Sequence, residues 1–232
     1  MIISGANALV TGASRGLGAA LVEGLLAHGA GTVYAAARDP RTATHKDPRV
    51  VPLRLDVTDL RQVHEVAERA GDVDLLINNA GVSGAGSLLT ADPERARAEM
   101  ETNLWGPVAM LRAFAPVLAR NGGGAAVTVL SALSWAAMPG AGAYSATKAA
   151  AWSFTNTARA ELRDQGTQVV GVHLGFMDTE MVAHLDVPKI DAATVAERIL
   201  DAVAAGEEEV LADAPSRAIK EALAGPPKGL EI

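Results

Sequence analysis

Tyr144 and Lys148 stand four residues apart in the segment Tyr144-Ser145-Ala146-Thr147-Lys148, and on a helix that spacing raises both side chains from one face. A free phenol titrates near pH ~10, too high to trade protons readily at neutrality, and an ammonium beside it favours the phenolate and lowers that value. The pair suits general acid–base work, with Tyr144 as proton donor and Lys148 tuning it. Ser131, thirteen residues earlier and directly after an apolar run, offers a hydroxyl whose hydrogen bond to a carbonyl strengthens as that oxygen gains negative charge. In isolation the same residues also fit an amphipathic surface pair and a serine that ends a strand.

A second cluster lies near the start of the chain. Thr11-Gly12-Ala13-Ser14-Arg15-Gly16-Leu17-Gly18 follows one apolar run and opens a helical segment. Glycine at three points lets the backbone turn tightly, approach a pyrophosphate and pack helix on strand, while the helix N-terminus faces the negative charge. Twenty residues beyond Gly18 stands Arg38. A chain that binds NAD usually has an acidic residue about here for the ribose 2′-hydroxyl, whereas arginine pairs with the 2′-phosphate of NADP. Arg15 is a second cation within reach of that phosphate, and Asp39 would oppose it if turned inward. The two arginines favour NADP(H). Asp56 is placed either to bond an adenine amino group or to share a helix cap with Thr58.

These residues need a frame, and the sequence describes one. Apolar runs recur at Ala6 to Val10, Thr32 to Ala37, Val50 to Leu55, Leu75 to Ile77, Ala125 to Leu130 and Val169 to Leu174, with a further one at Glu209 to Ala212. They do not alternate, and helix-length segments separate them, the pattern of parallel strands covered on both faces. The expected fold is a doubly wound α/β Rossmann-type sheet of six to seven strands with helices on both faces, one domain over residues 1–232. Thr58 can cap a helix to about Ala70, Asp92-Pro93 opens another, and the longest candidate runs from about Gly142 to Gln165, closed by Gly166. The Pro/Gly-rich stretch 225–232 reads as a flexible tail.

In register along the whole chain, Thr11 to Gly18, Asn78-Asn79-Ala80-Gly81, Asn103, Ser131 and Tyr144 to Lys148 resemble the short-chain dehydrogenase/reductase family. The resemblance implies an NADP(H)-dependent oxidoreductase in which Asn103, Ser131, Tyr144 and Lys148 are catalytic, Asn103 anchoring a water that returns protons through Lys148. It implies cofactor contacts from Gly12, Ser14, Arg15, Gly16, Leu17, Gly18, Arg38, Asp56 and Val57, and from Asn79, Ala80 and Gly81 beside the adenosine. Tyr144 and Lys148 would touch the nicotinamide ribose, and Gly175, Met177 and Thr179 would complete the cofactor site, Thr179 at the carboxamide. Where the family usually has Asn-Pro-Gly, this chain has His173-Leu174-Gly175, which makes the path of that loop a question for the structure.

The segments bordering these residues supply Leu133, Trp135, Met138, Phe176 and Met181 as pocket walls, with no lysine or arginine among them. A neutral, fairly hydrophobic ketone, aldehyde or secondary alcohol is the expected substrate. A net charge of −7 argues against nucleic acid and anionic lipid as partners. The absence of cysteine excludes disulfides, thiolate metal sites and cysteine nucleophiles. The five histidines show no paired ligand spacing, so no metal is expected; His173 is the one to inspect. The first residues lack a signal-peptide pattern, and the chain is expected to be cytoplasmic and a homodimer or homotetramer through its long helices. A catalytically silent NADP(H)-binding regulator is the alternative, and the retained Ser131, Tyr144, Lys148 and Asn103 argue against it.

Overall fold

The computed structural model describes residues 1–84, 86–179 and 186–230. Its strands are β1 (Asn7–Thr11), β2 (Thr32–Ala37), β3 (Val50–Arg54), β4 (Leu75–Asn78), β5 (Ala125–Val129), β6 (Gln168–His173) and β7 (Glu209–Leu211). All pair in parallel in one sheet ordered β3-β2-β1-β4-β5-β6-β7. The expected doubly wound sheet is present, with the seventh strand included.

Side chains still alternate along each strand, but both faces are apolar because both are covered. Ala8, Val10, Leu75 and Ile77 pack with α1 (Gly16–Ala27) and α6 (Ala192–Ala205). Leu9, Leu76 and Ala126 turn the other way, onto α2 (Leu60–Arg69), α4 (Gly106–Arg120) and α5 (Gly142–Glu161). Phe114, with none of its surface exposed, sits within this second core, and trimming it to alanine would cost about 3–5 kcal/mol.

Several helix ends differ from expectation. Asp59, not Thr58, caps α2, accepting from the N–H groups of Arg61 and Gln62, while the Thr58 hydroxyl donates to Asp56. Asp92 caps α3 (Pro93–Met100) as predicted, but a π turn at Glu101–Trp105 separates α3 from α4. Pro107 accounts for that interruption in part, since it brings no N–H to the carbonyl four residues before it. Helix α5 stops at Glu161, short of Gln165. Neither α6 nor α7 (Ala214–Ala222) is among the expected helices.

Part of the tail makes specific contacts. Pro227–Leu230 forms a short 3₁₀ turn, Ala137 N–H donates to the Leu230 carbonyl at 2.8 Å, and Leu230 packs against the cluster of Ala132, Trp135, Ala136 and Ile219. An apolar side chain with a place to bury itself overrides the glycines and prolines around it. Among the described residues no helix is long and apolar enough to cross a membrane.

Strand order reverses between β1 and β4. In open α/β sheets the crevice at the carboxyl ends of the strands beside such a reversal is where ligands bind.

Candidate active site

The glycine loop leaves β1 at this crevice. Gly12 has φ +66°, and a Cβ on Gly18 would lie 2.1 Å from the Gly12 carbonyl oxygen and 2.7 Å from Asn79 Nδ2. Only glycine lets α1 start this close to the strand. Asn79 fixes the other wall: its amide donates to the Thr11 carbonyl at 2.8 Å, and the Thr11 hydroxyl accepts the N–H groups of Asn79 and Ala80 at 3.0 Å each. The loop after β6 crosses above, so that a Cβ on Gly16 would meet the Thr179 methyl at 3.1 Å. The start of α1 therefore presents glycine backbone between the Asn79 amide and the Thr179 side chain, an arrangement that suits a pyrophosphate.

The remaining expected cofactor residues divide. Ser14 is half-buried and Arg15 exposed on this loop, whereas Leu17 is buried in the core and can offer a ligand only its backbone. Arg38 is exposed at the end of β2. Asp39 does not oppose it: its carboxylate takes Nε and Nη2 of Arg41 at 2.9 and 2.8 Å, and those bonds hold it at about 2. Asp56 accepts the N–H and hydroxyl of Thr58 at 3.0 and 2.7 Å, but the cap of the helix that follows is Asp59. Val57 is buried, and a Cβ on Gly106 would come within 2.7 Å of it.

Ser131, Tyr144 and Lys148 meet at the ends of β5 and α5. The Ser131 hydroxyl accepts Leu133 N–H at 3.1 Å and stands close enough to the Tyr144 phenol to favour its ionised form. Lys148 Nζ lies 5.6 Å from the Tyr144 ring centre and donates to the Val129 carbonyl at 2.8 Å. Burial pushes the Lys148 ammonium down to about 8. Burial likewise pushes the Tyr144 phenol up to about 12, the Ser131 hydroxyl opposing and the Glu99 carboxylate reinforcing. The expected lowering of Tyr144 by Lys148 is thus not found in the chain alone, because the ammonium is aimed at a backbone carbonyl and desolvation outweighs it.

Asn103 is 1% exposed in the π turn. Its Oδ1 accepts Val82 N–H at 2.8 Å, and its Nδ2 donates to the Val82 carbonyl at 2.8 Å and to Thr147 Oγ1 at 3.0 Å. The amide is spent on joining the loop after β4 to α5. Gly81 lies between, where a Cβ would stand 3.3 Å from Asn103 Oδ1 and 3.8 Å from Lys148 Nζ.

Glu99, buried beside Tyr144, escapes sequence reasoning. Its signal was available, since it precedes Asn103 by four residues and so shares a helical face with it. His173 is fully buried, donates Nδ1–H to the Ser131 carbonyl at 3.1 Å, and stacks on Trp135 at 3.6 Å with rings 17° apart. The carbonyl can only accept, which places the proton on Nδ1. Burial pushes this imidazole down to about 4.

That stack corrects the expected role of Trp135. Its ring is taken up by His173 on one side, Trp152 edge-on at 6.0 Å and Lys220 Nζ at 4.7 Å, so it belongs to a satellite core and not to an open wall. Leu133, Met138 and Phe176 are half-buried around the Ser131 and β6 loops. Met177 packs against the first core and bridges to Ile190. Met181 lies outside the described residues. Elsewhere, His28 Nε2 meets Glu197 and Asp201 at 3.6 and 3.9 Å, a cross-helix grouping that no sequence spacing displays.

Comparison with known proteins identifies the family. A profile of the family described as short chain dehydrogenase matches residues 6–189. A curated protein named short chain dehydrogenase pigC, from Monascus ruber, is 33% identical over 79% of this chain and 66% of its own length. The 1-deoxy-11-beta-hydroxypentalenate dehydrogenase of Streptomyces exfoliatus is 37% identical over 78% of this chain and 71% of its own. The chain thus spans just under two thirds of the Monascus relative. Among solved structures, a short chain dehydrogenase from Burkholderia cenocepacia in complex with NADP superposes with a TM-score of 0.95 at 45% identity, covering 99% of this chain and 97% of that one. With its fold and four fifths of its length matched by these relatives and by the family profile, the chain belongs to the short-chain dehydrogenase/reductase family of oxidoreductases.

Proposed function

We propose that this oxidoreductase uses NADP(H) to interconvert a neutral, fairly hydrophobic ketone or aldehyde with its alcohol. The observation that carries the reading is Lys148 Nζ, 5.6 Å from the Tyr144 ring centre and held on the Val129 carbonyl two residues before Ser131, beside a glycine loop that a Cβ on Gly18 would block. The residues present fit the dinucleotide: Gly12, Gly16 and Gly18 leave backbone for its phosphates, and the exposed Arg38 and Arg15 are the cations assigned to a 2′-phosphate. The Burkholderia protein, 45% identical, was solved with NADP. When bound, the dinucleotide supplies the hydride and, oxidised, a positive ring that lowers the phenol.

Tyr144 is the acid in the reducing direction. A phenol pushed up to about 12 keeps its proton at neutrality and releases it only as the carbonyl oxygen becomes strongly basic. Ser131 donates to the same oxygen and gains strength as charge develops. Lys148, down at about 8, is still mostly an ammonium at pH 7, holding the ribose and stabilising the phenolate left behind. Proton return through Asn103 falls to its backbone. The amide is fully engaged, and the residue four on is Pro107, which has no N–H to give that carbonyl its α-helical partner. A water accepted there would link Lys148 to solvent.

The buried Glu99 beside Tyr144 disfavours anionic substrates, in keeping with a pocket bordered by Leu133, Met138 and Phe176. Assembly through the α4 and α5 faces into a homodimer or homotetramer, in the cytoplasm, completes the reading. Oxidation of NADPH against neutral aryl, alkyl and cyclic ketones, with NADH in parallel, tests it. Turnover that favours NADPH and falls by a factor of about 10²–10⁴ in Tyr144→Phe, with cofactor still bound, is expected. Failure to bind NADPH, or near-normal turnover in that variant, overturns it.

A further inference from the structure

We infer that Asp213, outside the reacting centre, is the positioning residue of the loop that closes over the cofactor slot. The loop leaves β6 at His173 and reaches Thr179 above Gly16, so its first turn sets where its end lies. That turn is gripped on one side by the β5 segment. Ala132 N–H donates to the Leu174 carbonyl at 2.8 Å, and the His173 ring donates to the Ser131 carbonyl at 3.1 Å. On the other side the grip comes from the β7–α7 junction. Ala212 N–H donates to the His173 carbonyl at 2.8 Å, and the Asp213 carboxylate accepts Gly175 N–H through Oδ2 at 2.6 Å.

The last bond is the decisive one, because it is made to the second residue beyond β6, where the chain turns away from the sheet, and its acceptor is held from behind. Asp213 is 8% exposed, and its Oδ1 accepts Ser216 N–H at 2.8 Å as the N-cap of α7. One carboxylate therefore ties the start of α7 to the start of the loop, and charge-assisted bonds of this kind are the strong ones. The contact is also close in space. A Cβ on Gly175 would stand 3.1 Å from Asp213 Oδ2 and 3.3 Å from Pro215 Cβ, so glycine allows α7 to press directly on the turn. Beyond it, Asp178 N–H donates to the Ile190 carbonyl and Ile190 N–H to the Phe176 carbonyl, both at 2.9 Å. Gly175 and Ile190 thus bracket the few residues that deliver Thr179 to the slot.

Asp213→Ser separates the two duties of the side chain, since serine caps helices well but is too short to reach Gly175 as well. In the unliganded chain, hydrogen exchange of the Gly175 amide should quicken roughly 10- to 100-fold, the worth of a charge-assisted bond, while the α7 amides stay protected. The catalytic consequence rests on the proposed NADP(H) reading. There kcat should fall roughly 10- to 100-fold through misplacement of the reacting groups, with affinity for 2′,5′-ADP, which lacks the nicotinamide, unchanged. Gly175→Ala, which wedges the same contact and leaves the cap intact, should reproduce both effects. Unchanged Gly175 exchange in both variants overturns the anchor, and quickened exchange with unaltered kcat overturns its positioning role. A wild-type chain that ignored NADPH and 2′,5′-ADP would instead defeat the reading of the site, while the exchange rates would still judge the anchor.

Discussion

Replacing Lys148 by methionine should make the protein more stable and leave it inert, and the first effect can be sized from the burial of the ammonium. Lys148 is 5% exposed, and burial takes it from 10.5 to about 8. At about 1.4 kcal/mol for each pH unit, holding it protonated costs the fold ~3 kcal/mol. The unfolded chain binds that proton more tightly, so stability rises with pH between about 8 and 10.5, and the whole cost is present below 8. Methionine fills similar space without charge but removes the 2.8 Å donor of the Val129 carbonyl, a loss of about 1–2 kcal/mol. The net gain at pH 7 is then ~1–2 kcal/mol, or a few degrees in Tm for a chain of this length. Near pH 10 most of the charge cost has gone and the lost bond remains, so the order should reverse. Urea unfolding of both proteins at pH 7 and pH 10, followed by tryptophan fluorescence, reads this directly. A variant weaker than wild type at pH 7, or a difference that is the same at both pH values, would refute the reasoning.

Other perturbations probe the remaining parts. Arg38→Asp should move the NADPH/NADH ratio of kcat/KM toward NADH by roughly 10-fold or more, the worth of a charge-assisted bond to phosphate; an unchanged ratio would mean that Arg38 faces solvent in the complex too. Gly18→Ala places a Cβ 2.1 Å from a backbone oxygen, so fluorescence titration with NADPH should show binding weakened by roughly 10-fold or more, together with ~1–3 kcal/mol lost in urea, and intact affinity would contradict the cradle. With His173 down at about 4 against an ordinary value near ~6.5, the unfolded chain takes up the proton first, so stability should fall as pH drops from about 6.5 toward 4. In His173→Asn that fall should flatten, and equal slopes in the two proteins would place its origin elsewhere.

How much of this was legible in the sequence depended on how local the physics was. Strands could be read because a sheet covered on both faces needs unbroken apolar runs, and each observed strand lies within one residue of its run. Tyr144 and Lys148 could be read because four residues on a helix define a shared face. Their titration could not, since it depends on what buries them: Lys148 is aimed at Val129 and Tyr144 is flanked by Glu99 from another helix. Trp135 was misjudged for the same reason, since its partners His173, Trp152 and Lys220 come from three separate elements. The π turn had a local trace in Gly106-Pro107, and α7 had one in Asp213-Ala214-Pro215-Ser216, which carries both a capping box and a first-turn proline. Both are ordinary helix-start signals that went unread.

The buried polar groups that weaken this fold are not scattered evenly. Lys148 and His173, both driven away from their charged forms by burial, and Asn78, 3% exposed with no hydrogen bond to its amide among the described residues, stand at the carboxyl ends of β4, β5 and β6 or directly over them. Each burial of this kind is unfavourable by amounts comparable to a whole core side chain, and an apolar residue at any of these positions would pack as well. The cores on the two faces of the sheet supply the stability that tolerates them: Phe114 and the leucines around it gain nothing for chemistry, and the groups over the crevice cost the fold more than their hydrogen bonds return. That division makes the sign of a mutation diagnostic. Apolar replacement should stabilise at Lys148 while abolishing turnover, whereas truncation at Phe114 should destabilise and leave the turnover of the remaining folded protein intact. A chain in which both substitutions destabilised would have its polar groups at the crevice for structural reasons, and the case for an active site there would lose its energetic support.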